Sequence, residues 1–176
     1  MSRLPDKNGI SAKALARIKP VKLAGTFYRA VSPQRADDLL SVAGSIIYGG
    51  RYNPQNIFGA LYMSDSLETC QAEKIRKAGV VSLIPTVTGK VQITLEKVLD
   101  LTDTVVLKKL GLAQGDLLRE KSAGGWLVTQ MLANNAYKYG IEGLLVPSIV
   151  GQGKNLVVFD KYITAKTVKG TGVIKG

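Results

Sequence analysis

Every apolar run in this chain is short, and the runs do not alternate with helices in a regular strand–helix repeat. Strand composition appears at residues 26–31, 45–48, 59–64, 91–96, 143–148 and 155–159. In the fourth of these Val91, Ile93 and Leu95 alternate with Gln92, Thr94 and Glu96, the mark of a half-buried strand. The fifth, Gly143-Leu144-Leu145-Val146, is continuously apolar, as a strand covered on both faces would be, and Pro147 marks its end. Helical stretches stand between the runs with their own start and stop signals. Ser11 can cap a short helix ended before Pro20, Ser32-Pro33 opens one reaching Ala43, and Asp65 with Glu68 three residues on is a capping-box pattern for residues 66–78. That helix is expected to bury Leu67, Cys70, Ile75 and Ala78, with Glu73 on the rim of the apolar face. Residues 100–121, broken by Gly111 and Gly115, read as short helical pieces, and 122–139 as a longer helix ended by Gly140. Irregular mixing of this kind points to an α+β fold, with small mixed or antiparallel sheets and flanking helices, rather than a doubly wound sheet.

The chain has 176 residues and 45% hydrophobic content, enough for one domain that buries roughly 70% of its unfolded surface. That domain is expected over 24–169, after a basic extension at 1–23 and before a flexible tail at 170–176. A single cysteine, Cys70, excludes an internal disulfide, and the absence of histidine removes imidazole bases, Ser-His triads and His-based metal sites together. No metal site is expected. Acid–base work must fall to carboxylates, tyrosine or lysine. No apolar run approaches membrane-spanning length, so the expected place of action is cytoplasmic. The net charge of +11 admits nucleic acid, an acidic protein or a small anionic substrate as partner. No dense basic block with interleaved aromatics favours the first.

One stretch has the layout of a site. Arg51 follows the pair Gly49-Gly50, Tyr62 stands in an apolar run, and Glu73 sits on the capped helix, each eleven residues from the next. Gly49-Gly50 is consistent with a simple tight turn, but backbone without Cβ also admits an anion beside a planar guanidinium. Tyr62 serves equally as core or as a flat wall for an aromatic base. Glu73 either pairs with a lysine of its own helix or, against a sugar, stabilises positive charge at the anomeric carbon. Arg29, between apolar neighbours in its strand, must reach solvent or an anion. Ser148 and Asn155 are ordinary turn residues taken singly, and Cys70 and Trp126 read as core.

Taken together, Tyr28-Arg29-Ala30, Gly49-Gly50-Arg51-Tyr52-Asn53-Pro54, Leu61-Tyr62-Met63-Ser64, Ala72-Glu73, Gly143 to Ser148 and Asn155-Leu156-Val157 resemble the RES domain family in family order. The family's members are the toxins of RES–Xre toxin–antitoxin pairs. The resemblance implies a fold similar to ADP-ribosyltransferase toxins and cleavage of the nicotinamide–ribose bond of NAD, by hydrolysis or with inorganic phosphate as co-substrate. It makes Arg51, Glu73 and Tyr62 catalytic and places Tyr28, Arg29, Gly50, Arg51, Tyr62, Ser148 and Asn155 around the NAD. It also implies an Xre-type antitoxin or an immunity protein covering the cleft, and contact with nucleic acid only through that partner. The residues leave open a protein ADP-ribosyltransferase or secreted effector on the same fold and, from a different class, a basic nucleic-acid-binding module. Tyr52 stands where the family often has tryptophan.

Overall fold

The computed structural model describes residues 10–78, 85–121 and 126–174. Among them run six strands: β1 (Val21–Val31), β2 (Ala60–Ser64), β3 (Val87–Asp100), β4 (Gly143–Pro147), β5 (Lys154–Phe159) and β6 (Val168–Ile174). Their order is β1-β2-β5-β4-β3-β6, and β1 also pairs with β3. Five strands therefore close into a ring, with β6 added along β3. The ring is uneven: β1 and β3 pair from Val31–Val87 to Val21–Val98, whereas β1 meets β2 through the single pair Tyr28–Ser64. Only β3 and β4 run parallel, from Val98–Gly143 to Asp100–Leu145. The chain between them forms α4 (Thr104–Lys109), α5 (Gln114–Leu118) and α6 (Leu127–Tyr139), the crossover that a parallel neighbour requires. The result is the expected α+β domain, built on one sheet.

Period-two alternation divides the apolar residues between the two faces of that sheet. Leu61 and Met63 of β2, Leu145 of β4, and Leu156 and Val158 of β5 join Val91, Ile93 and Leu95 of β3 in one cluster. Ala60, Leu144, Val146, Val157 and Phe159 point the other way, onto Leu117 of α5 and Leu132 and Ala136 of α6. Strands β2, β4 and β5 are thus covered on both sides, which is why residues 143–146 are apolar without a break. Phe58 stacks on Tyr137 with ring centroids 4.3 Å apart, and Phe159 meets both rings edge-on.

Several local expectations are corrected. Ser11 does cap a helix, α1 (Ala12–Leu15), and within the basic extension expected at 1–23 residues 10–23 pack on the domain. Ile10, Leu15 and Ile18 are buried, Asn135 of α6 donates to the Ile10 carbonyl, and β1 already begins at Val21. At the other end, residues 168–174 form β6 against β3 instead of fraying. Pro33 starts only a 3-10 turn, Pro33–Asp38, because the Arg29 guanidinium takes the carbonyls of Leu39 and Ser41 and Leu39 drops into the core. Residues 45–48 have β-branched composition yet lie in α2 (Ala43–Tyr48). Their helical turn is set by Val42 and Ile46, four apart, which rest on Gly59 so closely that a Cβ there would stand 2.7 and 2.8 Å from them.

The helix expected at 66–78 is α3 (Leu67–Ala78), with a different cap and a rotated face. Ser66 Oγ accepts from Thr69 N–H, while Asp65 accepts from Lys154 N–H on β5 and Glu68 stays exposed. Cys70 and Glu73 are buried, whereas Ile75 is 62% exposed. The Ala78 side chain and residues 122–125, where the α6 helix was expected to begin, lie outside the described residues.

Candidate active site

Glu73 is the buried carboxylate of α3, and three donors converge on one of its oxygens. Oε1 accepts from Ser148 Oγ at 2.6 Å, Asn155 Nδ2 at 2.7 Å and Ile149 N–H at 3.3 Å. Each donor is held in its role. Asn155 Oδ1 accepts from Ser64 Oγ, which turns the amide NH2 toward Glu73, and Ser148 Oγ accepts from Val150 N–H, which leaves its proton for the carboxylate. Among the described residues no donor reaches Oε2. One oxygen is fixed by the protein, and the other remains for a ligand.

Opposite stands the glycine turn. Gly50 and Asn53 exchange backbone hydrogen bonds, with Gly49 at φ +66° as the cap of α2. A Cβ on Gly50 would lie 2.5 Å from the Tyr62 hydroxyl and 2.8 Å from Asn53 Oδ1, so glycine is required for the phenol to reach its partners. Tyr62 OH donates to Asn53 Oδ1 at 2.8 Å and accepts from Tyr52 N–H at 3.0 Å. Fully buried Asn53 ties the turn down by donating to the carbonyls of Ser45 and Phe58. Burial raises the Tyr62 phenol well above its ordinary pKa, against a smaller opposing effect of the Tyr52 N–H bond. Tyr62 is therefore a neutral wall and hydrogen-bonding group, and no proton acceptor near pH 7.

Arg51 projects from the turn across the mouth. Its Nη1 donates to the carbonyls of Leu117 at 3.0 Å and Arg119 at 2.5 Å, and its guanidinium lies 5.5 Å from the Trp126 ring. The backbone beneath is anchored to α6, since Thr129 Oγ1 donates to the Arg51 carbonyl and Gln130 Nε2 to that of Gly50. A cleft of about 430 Å³ lies between these groups, within the usual range for a small-ligand site. Gly50, Arg51, Tyr62, Glu73 and Asn155 all line it.

Not every expected residue lies there. Ser148 is 3% exposed and stands behind Glu73, orienting the carboxylate without lining the cleft. Tyr28 and Arg29 are outside the lining as well, Arg29 facing a separate polar hollow with Arg35, Asp38 and Ser41. Burial lowers the Arg29 pKa from its ordinary value, with Asp38 opposing. Conversely, Arg76, Trp126, Leu117 and Leu118 line the cleft without having been singled out for it. Arg76 was within reach of sequence reasoning, since three residues past Glu73 on a helix is a neighbouring position. Trp126, expected in the core, carried no such signal, because the crossover between β3 and β4 brings it there.

The RES domain family matches residues 26–171 of this chain. The chain belongs to the RES domain family. Among its curated relatives, the NAD(+) phosphorylase MbcT of Mycobacterium tuberculosis and that of Mycobacterium bovis are each 28% identical to it over 151 residues, 80% of this chain and 76% of theirs. The solved M. tuberculosis MbcT–MbcA toxin–antitoxin complex aligns with a TM-score of 0.77 at 25% identity, covering 93% of this chain and 90% of that one. The match takes in β2 to β5 entire, with β1 from Thr26 onward and β6 as far as Thr171.

Proposed function

We propose that this RES domain cleaves the nicotinamide–ribose bond of NAD and transfers the ADP-ribosyl group to inorganic phosphate, and that it acts as a toxin held in check by an antitoxin. The carrying observation is the Glu73 carboxylate, with Oε1 tied to three donors and the residue lining a cleft that Arg51 also lines. The relatives named NAD(+) phosphorylase support the same reading. As the C1′–N bond breaks, its electron pair leaves with the nicotinamide nitrogen, which loses its positive charge; no general acid is needed, in keeping with a chain without histidine. Positive charge then develops at C1′ and the ring oxygen, where a fixed carboxylate is most effective. A phosphate oxygen closes on C1′. Arg51 supplies the charge that holds a phosphate group, and Tyr62 and Trp126 supply flat walls.

Incubating the folded protein with NAD, with and without phosphate, and following nicotinamide decides the matter. Release that depends on phosphate and yields ADP-ribose 1-phosphate is expected; no release under either condition overturns the proposal, and release indifferent to phosphate reassigns the acceptor to water. The antitoxin, of Xre type in this reading, covers the cleft mouth from the lip formed by Gly49 and Gly50. Tyr48, 79% exposed beside that lip, and Ile47 and Ile57, both more than half exposed, give it an apolar rim to dock on. The site of action is the cytoplasm, where NAD is abundant.

A further inference from the structure

One wall of the cleft is made by Leu117 and Leu118 of α5, and two arginines hold α5 and the residues after it. Arg51 takes the Leu117 and Arg119 carbonyls, and Arg76 of α3 pairs with the Glu120 carboxylate through Nη2. Both arginines also line the cleft, as do Leu117 and Leu118 of the wall itself. Arg76 stands three residues beyond Glu73 on the same helix, a neighbouring position, and lines the cleft together with that carboxylate. Its hold on Glu120 is the exchangeable part of this arrangement. The Arg76 side chain is 34% exposed and that of Glu120 73%, and an ion pair so open to water binds weakly. A phosphate oxyanion offers a guanidinium the same paired geometry with more charge.

We propose that Arg76 is a second phosphate-binding residue of this site and that Glu120 competes with the ligand for it. This rests on the reading of the cleft as an NAD-cleaving site. The ligand chemistry is a phosphate oxyanion, from either the pyrophosphate of NAD or the attacking inorganic phosphate. In the empty cleft Glu120 occupies the guanidinium and keeps the α5 wall in place. In the loaded cleft the oxyanion takes its position.

The test measures steady-state kinetics with NAD and phosphate varied separately, and binding of ADP-ribose and of inorganic phosphate by calorimetry, for wild type, Arg76→Ala, Arg76→Lys and Glu120→Gln. Arg76→Ala is expected to raise KM and weaken binding about tenfold for one of the two phosphate sources, with lysine recovering part of the loss. Whichever probe weakens identifies the source. Glu120→Gln is expected to move the same KM in the opposite direction, two- to fivefold lower, which a merely wall-supporting ion pair would not do. The proposal is overturned if Arg76→Ala leaves both KM values within twofold, or if Glu120→Gln raises KM as Arg76→Ala does. Calorimetry separates this from the reading beneath it. A wild type that binds a probe through Arg76 but releases no nicotinamide keeps the binding role and refutes NAD cleavage; one that binds neither probe refutes the binding role.

Discussion

Replacing Glu73 by glutamine separates the chemistry of the site from its architecture. Glutamine keeps an acceptor oxygen for the donors now at 2.6, 2.7 and 3.3 Å, and it puts an NH2 where Oε2 has no donor among the described residues. Converting two short bonds from a charged to a neutral acceptor costs roughly 1–2 kcal/mol, because bonds to ions exceed neutral ones by about 1 kcal/mol each and a buried charge is removed at the same time. For a chain of this size that lowers Tm by about 2–8 °C. The reaction loses the one carboxylate that lines the cleft among the described residues, and the rate should fall by about 10²–10³ or more. Glu73→Ala is a poorer variant than the sequence suggests. It strands the buried Ser148 Oγ at about 1–3 kcal/mol and leaves the half-buried Asn155 Nδ2 to water in the cleft, a sizeable share of a typical stability of about 5–15 kcal/mol. Nicotinamide release and thermal melting on the same glutamine sample are the assay. A variant keeping more than a tenth of the wild-type rate, or one melting far below the expected range, refutes the argument that Oε2 does the chemistry while Oε1 holds the fold.

Other perturbations follow from the same geometry. Gly50→Ala places a methyl 2.5 Å from the Tyr62 hydroxyl and should destabilise by about 1–3 kcal/mol, seen in denaturant melts; a neutral effect would mean the turn relaxes freely. Tyr62 has a folded pKa raised above its unfolded value, so its contribution to stability is complete below about pH 10 and declines as pH rises above that value. Tyr62→Phe should therefore lower Tm near neutrality and flatten the alkaline fall of Tm; an unchanged alkaline slope contradicts the burial argument. Ile75→Glu, on the exposed side of α3, should change stability by less than about 0.5 kcal/mol, and a large loss would restore the helix face expected from the sequence. Tyr48→Glu should weaken antitoxin binding at least tenfold in a pull-down titration while nicotinamide release stays within twofold; equal affinity would move the docking rim elsewhere.

The strands were legible because their patterns answer to local physics. Alternation at 91–95 and the unbroken run at 143–146 report one and two covered faces, and proline, glycine and serine punctuate the chain wherever its direction changes. Arg51, Tyr62 and Glu73 stood out by their even spacing beside plainer readings of each, and Asn155 joined them only through the family resemblance. Three things could not be read. The helix at 43–48 depends on a seat at Gly59, and the cutting short of the helix at 33–38 depends on Arg29 reaching carbonyls ten and twelve residues away. The rotation of α3 that buries Glu73 and exposes Ile75 depends on donors 75 and 82 residues further along the chain. Composition and periodicity marked β1 to β5, though not β6, and picked out Arg51 and Glu73 as charges that could face a ligand. Only the tertiary structure decided which arginine enters the cleft, because a side chain of that length is directed by the carbonyls and carboxylates it can reach, and those come from distant parts of the sequence.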